Sequence, residues 1–237
     1  MTAREPRGHP EPRRGTRLLI VGYGKMGRLV EELAVAQGVE IASRIDIDDG
    51  DWSTAADVAI DFSTAAALET NFPRYVERKL PAVIGTTGWS DRLPAYRAEA
   101  ERAGLGVVVS ANFSIGVNVF ELIVADAARM MRAHPQYGAW IHELHHVTKR
   151  DAPSGTALLL RDAMTRAGYD RVVDVSSTRA GTIPGTHTIG FDGPSDTIEL
   201  THVARDRRGF ASGALLAAQW VKDKHGWFSM TDVLRTV

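Results

Sequence analysis

The chain has 237 residues, contains no cysteine and carries a formal net charge of −1. The lack of thiols excludes disulfides, thiolate nucleophiles and cysteine-ligated zinc or iron–sulfur sites, and it fits a reducing compartment, so we expect a cytoplasmic protein. The balanced charge gives no field that would recruit nucleic acid, and no apolar run reaches the ~20 residues of a membrane span. We therefore expect neither nucleic acid nor membrane as a partner.

The first sixteen residues, MTAREPRGHPEPRRGT, are rich in Arg, Pro, Gly and Glu. They contain no apolar stretch of the kind found in signal peptides. We interpret residues 1–16 as a disordered leader and exclude them from the fold. A basic tail that touches RNA or lipid is the less favoured alternative.

Beyond the leader, short apolar runs alternate with helical patterns. The run Leu18 to Val21 is typical of a strand, and the positions 26, 29, 30 and 33 form one face of a helix that Gly38 would end. Further strands are predicted at VEIASRI, ADVAIDF, AVIGTTG and LGVVVSA, and further helices at AAALETNFPRYVERK, which Pro73 interrupts, and at LPAYRAEAERAG. This alternation predicts right-handed βαβ crossovers and a mostly parallel sheet.

The pattern changes after a long amphipathic helix, predicted from Gly116 to about Ala133. The segment THTIGFDGPSDTIELTHVA alternates around a turn and predicts a hairpin in an antiparallel sheet. The segment GALLAAQWVKDKHGWF predicts a last helix with Gly226 near its end. The fold class is therefore α/β, with an α+β insertion and a last helix that returns to the first domain.

The segment VGYGKMG places Gly22, Gly24 and Gly27 in GxGxxG spacing between a predicted strand and a predicted helix. Gly22 allows a tight turn, Gly24 lets the backbone approach a pyrophosphate, and the helix N-terminus offers free N–H donors. The alternative is an ordinary glycine turn, but the strand–turn–helix context favours dinucleotide binding.

Asp46 ends the second predicted strand, nineteen positions after Gly27. An acidic residue here accepts hydrogen bonds from ribose hydroxyls and repels a ribose phosphate, which favours NADH over NADPH. Lys25 and Arg44 are close enough in sequence to offset that repulsion, so use of both cofactors stays open. Asp46 as a solvated loop acid is the alternative.

The segment ELHHVTKRDAPSGTALLL concentrates polar chemistry before an apolar helix. As the end of a strand, residues 139–146 would put His145 and His146 on opposite faces, and a histidine there can donate a proton to a substrate reduced by hydride. Lys149 offers a fixed positive charge, and Ser154, Gly155 and Thr156 open a helix whose free N–H groups suit a carboxylate. The alternative is a solvated basic loop before an N-capped helix.

The letters HELHH, residues 142–146, also match the zinc motif HExxH. That chemistry needs a helix with both histidines on one face and Glu143 as the base. Pro135, Gly138 and Pro153 leave little room for a stable helix, and the next glutamate, Glu199, is far away. We interpret the match as chance and predict no metal site.

Several of these motifs, in this order, resemble the bacterial dihydrodipicolinate reductase family. The motifs are VGYGKMG, AIDFS, GTTGW, SANFSIGVNVF, ELHHVTKRDAPSGTAL, RAGTIPGTHTIGF and FASGAL, and the resemblance covers residues 17–237. It implies a Rossmann-type dinucleotide-binding domain, residues 17–113 plus 212–237. It also implies an inserted domain, residues 114–211, that binds substrate and builds a homotetramer through its sheet.

The resemblance further implies an oxidoreductase that uses NADH or NADPH to reduce a cyclic dicarboxylate to tetrahydrodipicolinate, in the diaminopimelate route to lysine. It implies His145 as the proton donor, Lys149 as the residue that pairs with or polarises the substrate, and His146, Gly155 and Thr156 as ligands of its carboxylates. The cofactor residues that it implies are Gly22, Gly24, Lys25, Met26, Gly27, Asp46, Phe62, Ser63, Gly85, Thr86, Thr87, Ala111, Asn112 and Phe113.

Two positions depart from the family pattern. Arg150 stands where relatives usually have an aliphatic residue, so it would add charge next to Lys149 and tune or shield the site. Asp46 replaces a longer glutamate. Two rival functions remain: a zinc hydrolase built on HELHH, and a nucleotide-binding sensor without turnover. The presence of His145 and Lys149 disfavours the sensor.

Overall fold

The structure, a computed structural model, describes residues 15–47 and 49–236. The strands are β1 (Thr16–Val21), β2 (Val39–Ile45), β3 (Val58–Asp61), β4 (Ala82–Ile84), β5 (Gly106–Val109), β6 (Gly138–His145), β7 (Val173–Arg179), β8 (Thr186–Asp192), β9 (Thr197–Val203) and β10 (Gly226–Ser229). The α-helices are α1 (Lys25–Ala34), α2 (Ala65–Glu77), α3 (Leu93–Ala103), α4 (Ile115–Met131), α5 (Gly155–Arg166), α6 (Arg208–Val221) and α7 (Met230–Leu234). Among the described helices, none has the length and hydropathy that crossing a bilayer requires.

The larger sheet has six parallel strands in the order β2-β1-β3-β4-β5-β10. The chain passes from β1 to β2 on one side and then crosses to β3 on the other. This reversal is the switch point of a doubly wound sheet, where dinucleotides bind beyond the carboxyl ends of the strands. The predicted Rossmann-type α/β class is confirmed.

Both faces of this sheet are covered, which explains the continuous apolar run in β1. Leu18 and Ile20 are fully buried in a core shared with α1 and α6. Leu19 and Val21 point the other way, into a core shared with α2 and α3. A strand buried on both faces needs apolar residues at every position, because successive side chains alternate between the faces.

The smaller sheet is mixed, in the order β7-β6-β8-β9. Strand β6 pairs in parallel with β7 and antiparallel with β8, and the hairpin β8–β9 lies where the alternating pattern predicts it. Helices α4 and α5 cover one face through a core that includes Val124, Leu160, Ile141 and Ile189. Within the described residues, no helix packs in this core from the opposite face of the sheet, which we call the open face.

Two predictions about elements were wrong, and one strand was missed. Helix α2 is continuous, with Pro73 inside it. The last predicted helix ends at Val221, and Gly226–Ser229, which we expected to close it, forms strand β10 beside β5. Strand β7 was not predicted.

The predicted leader lies outside the described residues, apart from Gly15 and Thr16, and Thr16 already belongs to β1. The domain boundaries stay a prediction. Helix α6 nevertheless packs on the larger sheet, where Ala214 and Ala218 share a buried core with Ile20 of β1.

Candidate active site

The glycine loop lies at the carboxyl end of β1. Gly22 has φ +83°, and a Cβ there would lie 2.6 Å from the backbone of Phe62, so a side chain would push the β1 and β3 loops apart. A Cβ on Gly24 would meet nothing within 4 Å. Gly24 caps α1 without a side-chain hydrogen bond, which leaves the first N–H groups of the helix free for a ligand. The open space and free donors fit a pyrophosphate.

Asp46 follows β2 directly and is exposed, with its backbone bridged to Asp49. Arg44 does not neutralise it, because the Arg44 guanidinium pairs with Glu31. The hydrogen bonds from Arg44 and Tyr23 lower the pKa of Glu31 to about 2, against a smaller opposing effect of burial. The alternative in which Arg44 offsets the repulsion between Asp46 and a ribose phosphate therefore finds no support in this arrangement.

The two neighbouring loops are tied together by the buried carboxylate of Asp61, at the end of β3. Its Oδ1 accepts hydrogen bonds from the Ser63 backbone N–H at 2.8 Å and from the Thr86 hydroxyl at 2.9 Å. Its Oδ2 accepts from the Tyr75 hydroxyl at 2.7 Å and the Asn71 amide at 3.2 Å. Asp61 thus fixes the loops after β3 and β4, two of the loops predicted to hold the cofactor. The sequence did not indicate this role.

Phe62 and Phe113 meet edge to face, with ring centroids 6.2 Å apart. Phe113 is only 1% exposed and belongs to the core of the larger sheet, so any contact that it makes with a cofactor is limited to its backbone. The ring of Phe62 covers Gly85, where a Cβ would collide with it.

A cleft of about 710 Å³ lies between the carboxyl edge of the larger sheet and the start of α5. It brings together eight predicted site residues: Thr87, Ala111, Asn112, His145, His146, Lys149, Gly155 and Thr156. The other predicted cofactor residues lie outside its lining, in the loops after β1, β2, β3 and β4 and in the core. Arg150 is exposed and does not line the cleft, so the expected effect of its charge on the site finds no support.

His145 ends β6 on the buried face, next to Glu143. Side chains 139, 141, 143 and 145 alternate inward, whereas His142 points to the other face and hydrogen-bonds Ser176 at 2.7 Å. The strand separates His142 from Glu143, which excludes the helical HExxH arrangement. His146 lies beyond the strand and lines the same cleft as His145, so the expectation that the two histidines are separated by the sheet was wrong.

The carboxylate of Glu143 is completely buried and holds His145. Glu143 Oε2 contacts His145 Nδ1, and Oε1 accepts from Arg179 Nη2 at 2.7 Å. Burial raises the pKa of Glu143, but the hydrogen bonds from Arg179, Ser177 and His145 outweigh it and bring the pKa to about 2. Burial lowers the pKa of His145, against the opposing effect of Glu143.

Lys149 and the start of α5 form the cationic side of the cleft. Lys149 Nζ pairs with Asp151 Oδ1 at 2.8 Å. Ser154 Oγ accepts from the Ala157 N–H at 3.2 Å and so caps α5 from within, which leaves the N–H groups of Gly155 and Thr156 at the open end. The Asp151 carboxylate already pairs with Lys149 and accepts a hydrogen bond from the Gly155 N–H, so a substrate carboxylate placed there would replace Asp151 at these groups.

Several lining residues were not predicted. His187 of β8 stacks edge-on against His145 at 5.2 Å between ring centroids, and its Nε2 lies 3.2 Å from Ser154 Oγ. Burial, and next the charge of His145, lower the pKa of His187 to about 4. Asp206 and Arg207, before α6, also line the cleft. Only Asp151 carried a signal, since it lies inside the basic run; the others come from distant segments.

Glu143, His145 and His187 also bring ligand-type atoms within 4.8 Å of one another, a spacing that a metal ion can use. Arg179 already occupies Glu143 Oε1 and places a positive charge beside the group. This cation would oppose a second one, so the geometry favours a hydrogen-bonded network over a metal site.

Comparison with known proteins gives consistent matches along the chain. Residues 16–113 match the family model described as dihydrodipicolinate reductase, N-terminus, and residues 116–234 match the C-terminus model. A 4-hydroxy-tetrahydrodipicolinate reductase of Christiangramia forsetii is 36% identical over 92% of this chain and 97% of its own length. One from Methanosarcina barkeri is 38% identical over 90% of this chain and 82% of its own length.

A solved structure, dipicolinate-bound dihydrodipicolinate reductase from Paenisporosarcina sp. TG-14, has a TM-score of 0.77 and 21% identity. The match covers 91% of this chain and 97% of that one. This likeness supports the fold.

Proposed function

This chain belongs to the dihydrodipicolinate reductase family, and we propose that it is a 4-hydroxy-tetrahydrodipicolinate reductase of the diaminopimelate route to lysine. The proposed reaction is hydride transfer from NADH or NADPH to a cyclic dehydrated dicarboxylate, giving tetrahydrodipicolinate. The observation that carries the proposal is the shared cleft, because its wall joins the carboxyl edge of a dinucleotide-binding sheet to the basic run before α5.

The cofactor would lie along the carboxyl edge of the larger sheet. When bound, its nicotinamide supplies the hydride. We propose that Gly22, Gly24, Lys25, Met26 and Gly27 hold the pyrophosphate and Asp46 the ribose, and that the nicotinamide side is held by Phe62, Ser63, Gly85, Thr86, Thr87, Ala111, Asn112 and Phe113. The free N–H groups of α1 support this assignment.

The exposed position of Asp46 supports a preference for NADH over NADPH. A carboxylate accepts hydrogen bonds from two ribose hydroxyls and repels a phosphate in the same place. The pairing of Arg44 with Glu31 supports the same preference. Because Arg44 is engaged there, its charge does not offset the repulsion between Asp46 and the ribose phosphate of NADPH.

The substrate carboxylates would bind at the cationic side of the cleft. Lys149 offers a charged ammonium, and the N–H groups of Gly155 and Thr156 offer hydrogen bonds along the axis of α5 once the substrate displaces the Asp151 carboxylate from Lys149 and Gly155. His146 lines the same wall. Two carboxylates bound in this way hold the ring in a fixed orientation for hydride transfer.

His145 would deliver the proton that accompanies the hydride. Hydride and proton together saturate one double bond of the conjugated ring, and the imidazole returns to its neutral form. The pKa of His145 is lowered in the ligand-free protein, mainly by burial. A substrate with two negative charges opposes that effect, so proton uptake would accompany substrate binding.

We also propose a homotetramer that assembles through the open face of the smaller sheet. Trp140 and Leu144 are half-buried apolar side chains on that face of β6. The exposed Val203 of β9 adds to the same surface.

The test is to mix the protein with NADH or NADPH and with substrate made in situ by a dihydrodipicolinate synthase, and to follow the loss of reduced-nicotinamide absorbance. Substrate-dependent oxidation is expected, faster with NADH. A protein that binds either cofactor but oxidises neither would instead be a sensor. Chelator-sensitive hydrolysis with no oxidation would support the zinc hydrolase.

A further inference from the structure

Glu143 is a buried carboxylate that the proposed chemistry does not itself require. It lies two residues before His145 on β6, so both side chains point to the same face of the sheet. No part of the Glu143 side chain is exposed, and it does not line the cleft. It therefore acts on a ligand only through a neighbour.

The two carboxylate oxygens of Glu143 have different partners: Oε1 is held by Arg179 and Ser154, and Oε2 contacts His145. Oε1 accepts from Arg179 Nη2 at 2.7 Å and from the Ser154 backbone N–H at 3.3 Å. Arg179 is anchored in turn, since Nη1 donates to the Thr178 carbonyl at 2.9 Å and Nη2 donates to the Asp151 carbonyl. Oε2 is left for His145 Nδ1. The carboxylate thus links the ends of β6 and β7 to the start of α5.

The contact between Glu143 Oε2 and His145 Nδ1 determines which ring nitrogen of the neutral imidazole carries the hydrogen. Glu143 is ionised at any working pH, because Arg179, Ser177 and His145 hold its pKa at about 2 in spite of burial. An ionised carboxylate only accepts hydrogen bonds, so Nδ1 of His145 must carry the hydrogen. The lone pair of the neutral ring is then on Nε2.

His145 lines the cleft, and because its Nδ1 contacts the buried Glu143, we infer that Nε2 is the ring nitrogen on the cleft side. Gly185 lies against it, and a Cβ on Gly185 would be 3.0 Å from Nε2. The charged and titratable groups around the ring are Glu143 on β6, Arg179 on β7, Lys149 in the following loop and His187 on β8. Glu143 is the member of this set that favours the imidazolium, and the two cations oppose it.

We propose that Glu143, held by Arg179, is the positioning residue of His145: it sets the Nδ1–H tautomer, aims Nε2 into the cleft and stabilises the imidazolium once Nε2 takes up a proton. The inference rests on the proposed function only in the last step, where that proton passes to the substrate. The tautomer and the ring's orientation are properties of the free protein.

The first test reads the tautomer without any turnover. Nitrogen-15 spectra of the histidine rings would be recorded for the wild type, for Glu143→Gln and for His145→Gln, which identifies the His145 signals. The wild type is expected to show the Nδ1–H form, with Nε2 titrating as pH falls. Glu143→Gln is expected to show a mixture of tautomers and a lower pKa for His145, because an amide no longer favours the cation.

The second test measures the reaction. Glu143→Gln is expected to lower kcat by roughly 100-fold, with a smaller change in KM and an unchanged affinity for NADH. The descending limb of the pH profile is expected to move to lower pH. The double variant with His145→Gln should lose no more activity than His145→Gln alone. Glu101→Gln, the same change in an exposed ion pair on α3, is the matched control.

The outcomes separate the two proposals. If Glu143→Gln leaves the tautomer and the pKa of His145 unchanged, the inference is wrong whatever the activity. If the tautomer shifts as expected but the wild type oxidises no cofactor, the proposed function alone fails. If Glu143→Gln does not fold, Glu143→Asp and Arg179→Lys give the same readouts, and an unperturbed ring in both would also overturn the inference.

Discussion

Lys149 shows how one side chain is prepared for an anion. Its ammonium is paired with Asp151 at 2.8 Å and its side chain is 23% exposed, so a carboxylate can reach it without opening the fold. Lys149→Ala is expected to lower kcat/KM by about 100-fold or more, the loss typical of a group that stabilises developing charge. The affinity for NADH should stay within about twofold, because the α1 loop is untouched.

Steady-state kinetics and a fluorescence titration with NADH would check this prediction. Arg150→Ala is the matched control, since Arg150 is exposed and outside the cleft lining. Unchanged turnover in Lys149→Ala would remove Lys149 from the mechanism. Equal losses in both variants would mean that only the overall charge of the run matters.

The lowered pKa of His187 makes the free energy of unfolding depend on pH. Burial, and next the charge of His145, lower its pKa from 6.5 to about 4 in the folded chain. Between these values the unfolded chain binds more protons than the folded one, so stability falls as pH falls through 6.5 and levels off below about 4. His187 alone should remove about 2 kcal/mol of unfolding free energy between pH 7.5 and 5.

Urea denaturation at the two pH values, for the wild type and for His187→Gln, would measure this difference. The variant replaces the titrating ring with a neutral amide and should lose less stability on acidification. Groups remote from His187 contribute equally to both proteins, so the difference between them reports His187 together with its coupling to His145. An identical pH dependence in the two proteins would show that the ring is protonated at no cost.

At the scale of elements, Asp61 joins the ends of β3 and β4. Asp61→Asn keeps the shape but replaces one acceptor oxygen by a donor, which faces donors on every side. We expect the cofactor loops to loosen and the Kd for NADH to rise about tenfold, equivalent to about 1.4 kcal/mol. Isothermal titration would measure it. Asp57→Asn, at the exposed residue just before the same strand, is the control; an equal Kd in both would contradict the role of Asp61.

The sequence predicted those elements whose pattern is local. The run Leu18–Val21 and the βαβ alternation indicated a parallel sheet, because burial on both faces requires apolar residues at every position. Strand β10 was missed because four residues carry too little periodicity, and it exists through its pairing with β5. Pro73 is tolerated in α2 because Leu68, Phe72 and Tyr75 anchor the helix in the core, while the carbonyl that Pro73 deprives of a partner belongs to the exposed Glu69.

The site was predicted to the extent that its residues are close in sequence. The run from His145 to Thr156 is contiguous and was identified as a whole. Glu143 was dismissed together with the HExxH match, although its burial beside His145 follows from strand periodicity. Arg179 and His187 reach the site through the pairing of β7 and β8 with β6, a long-range arrangement that no local pattern records.

The whole molecule is expected to assemble through the open face of the smaller sheet, and that expectation has a direct test. Thr188 and Thr201 hydrogen-bond across β8 and the edge strand β9 at 3.0 Å on that face. Light scattering should give a mass of about 103 kDa, four times the 25.8 kDa of one chain.

Thr201→Lys places a charge in the interface and should reduce the mass to that of smaller species, whereas Thr70→Lys on the exposed side of α2 should not. Because the residues proposed to hold NADH belong to the larger sheet and Thr201 to the smaller one, the dissociated variant should still bind NADH. A wild type of 25.8 kDa would exclude the homotetramer, and a Thr201→Lys variant that stays at the full mass would move the interface elsewhere, to the exposed Ile123 and Met130 of α4.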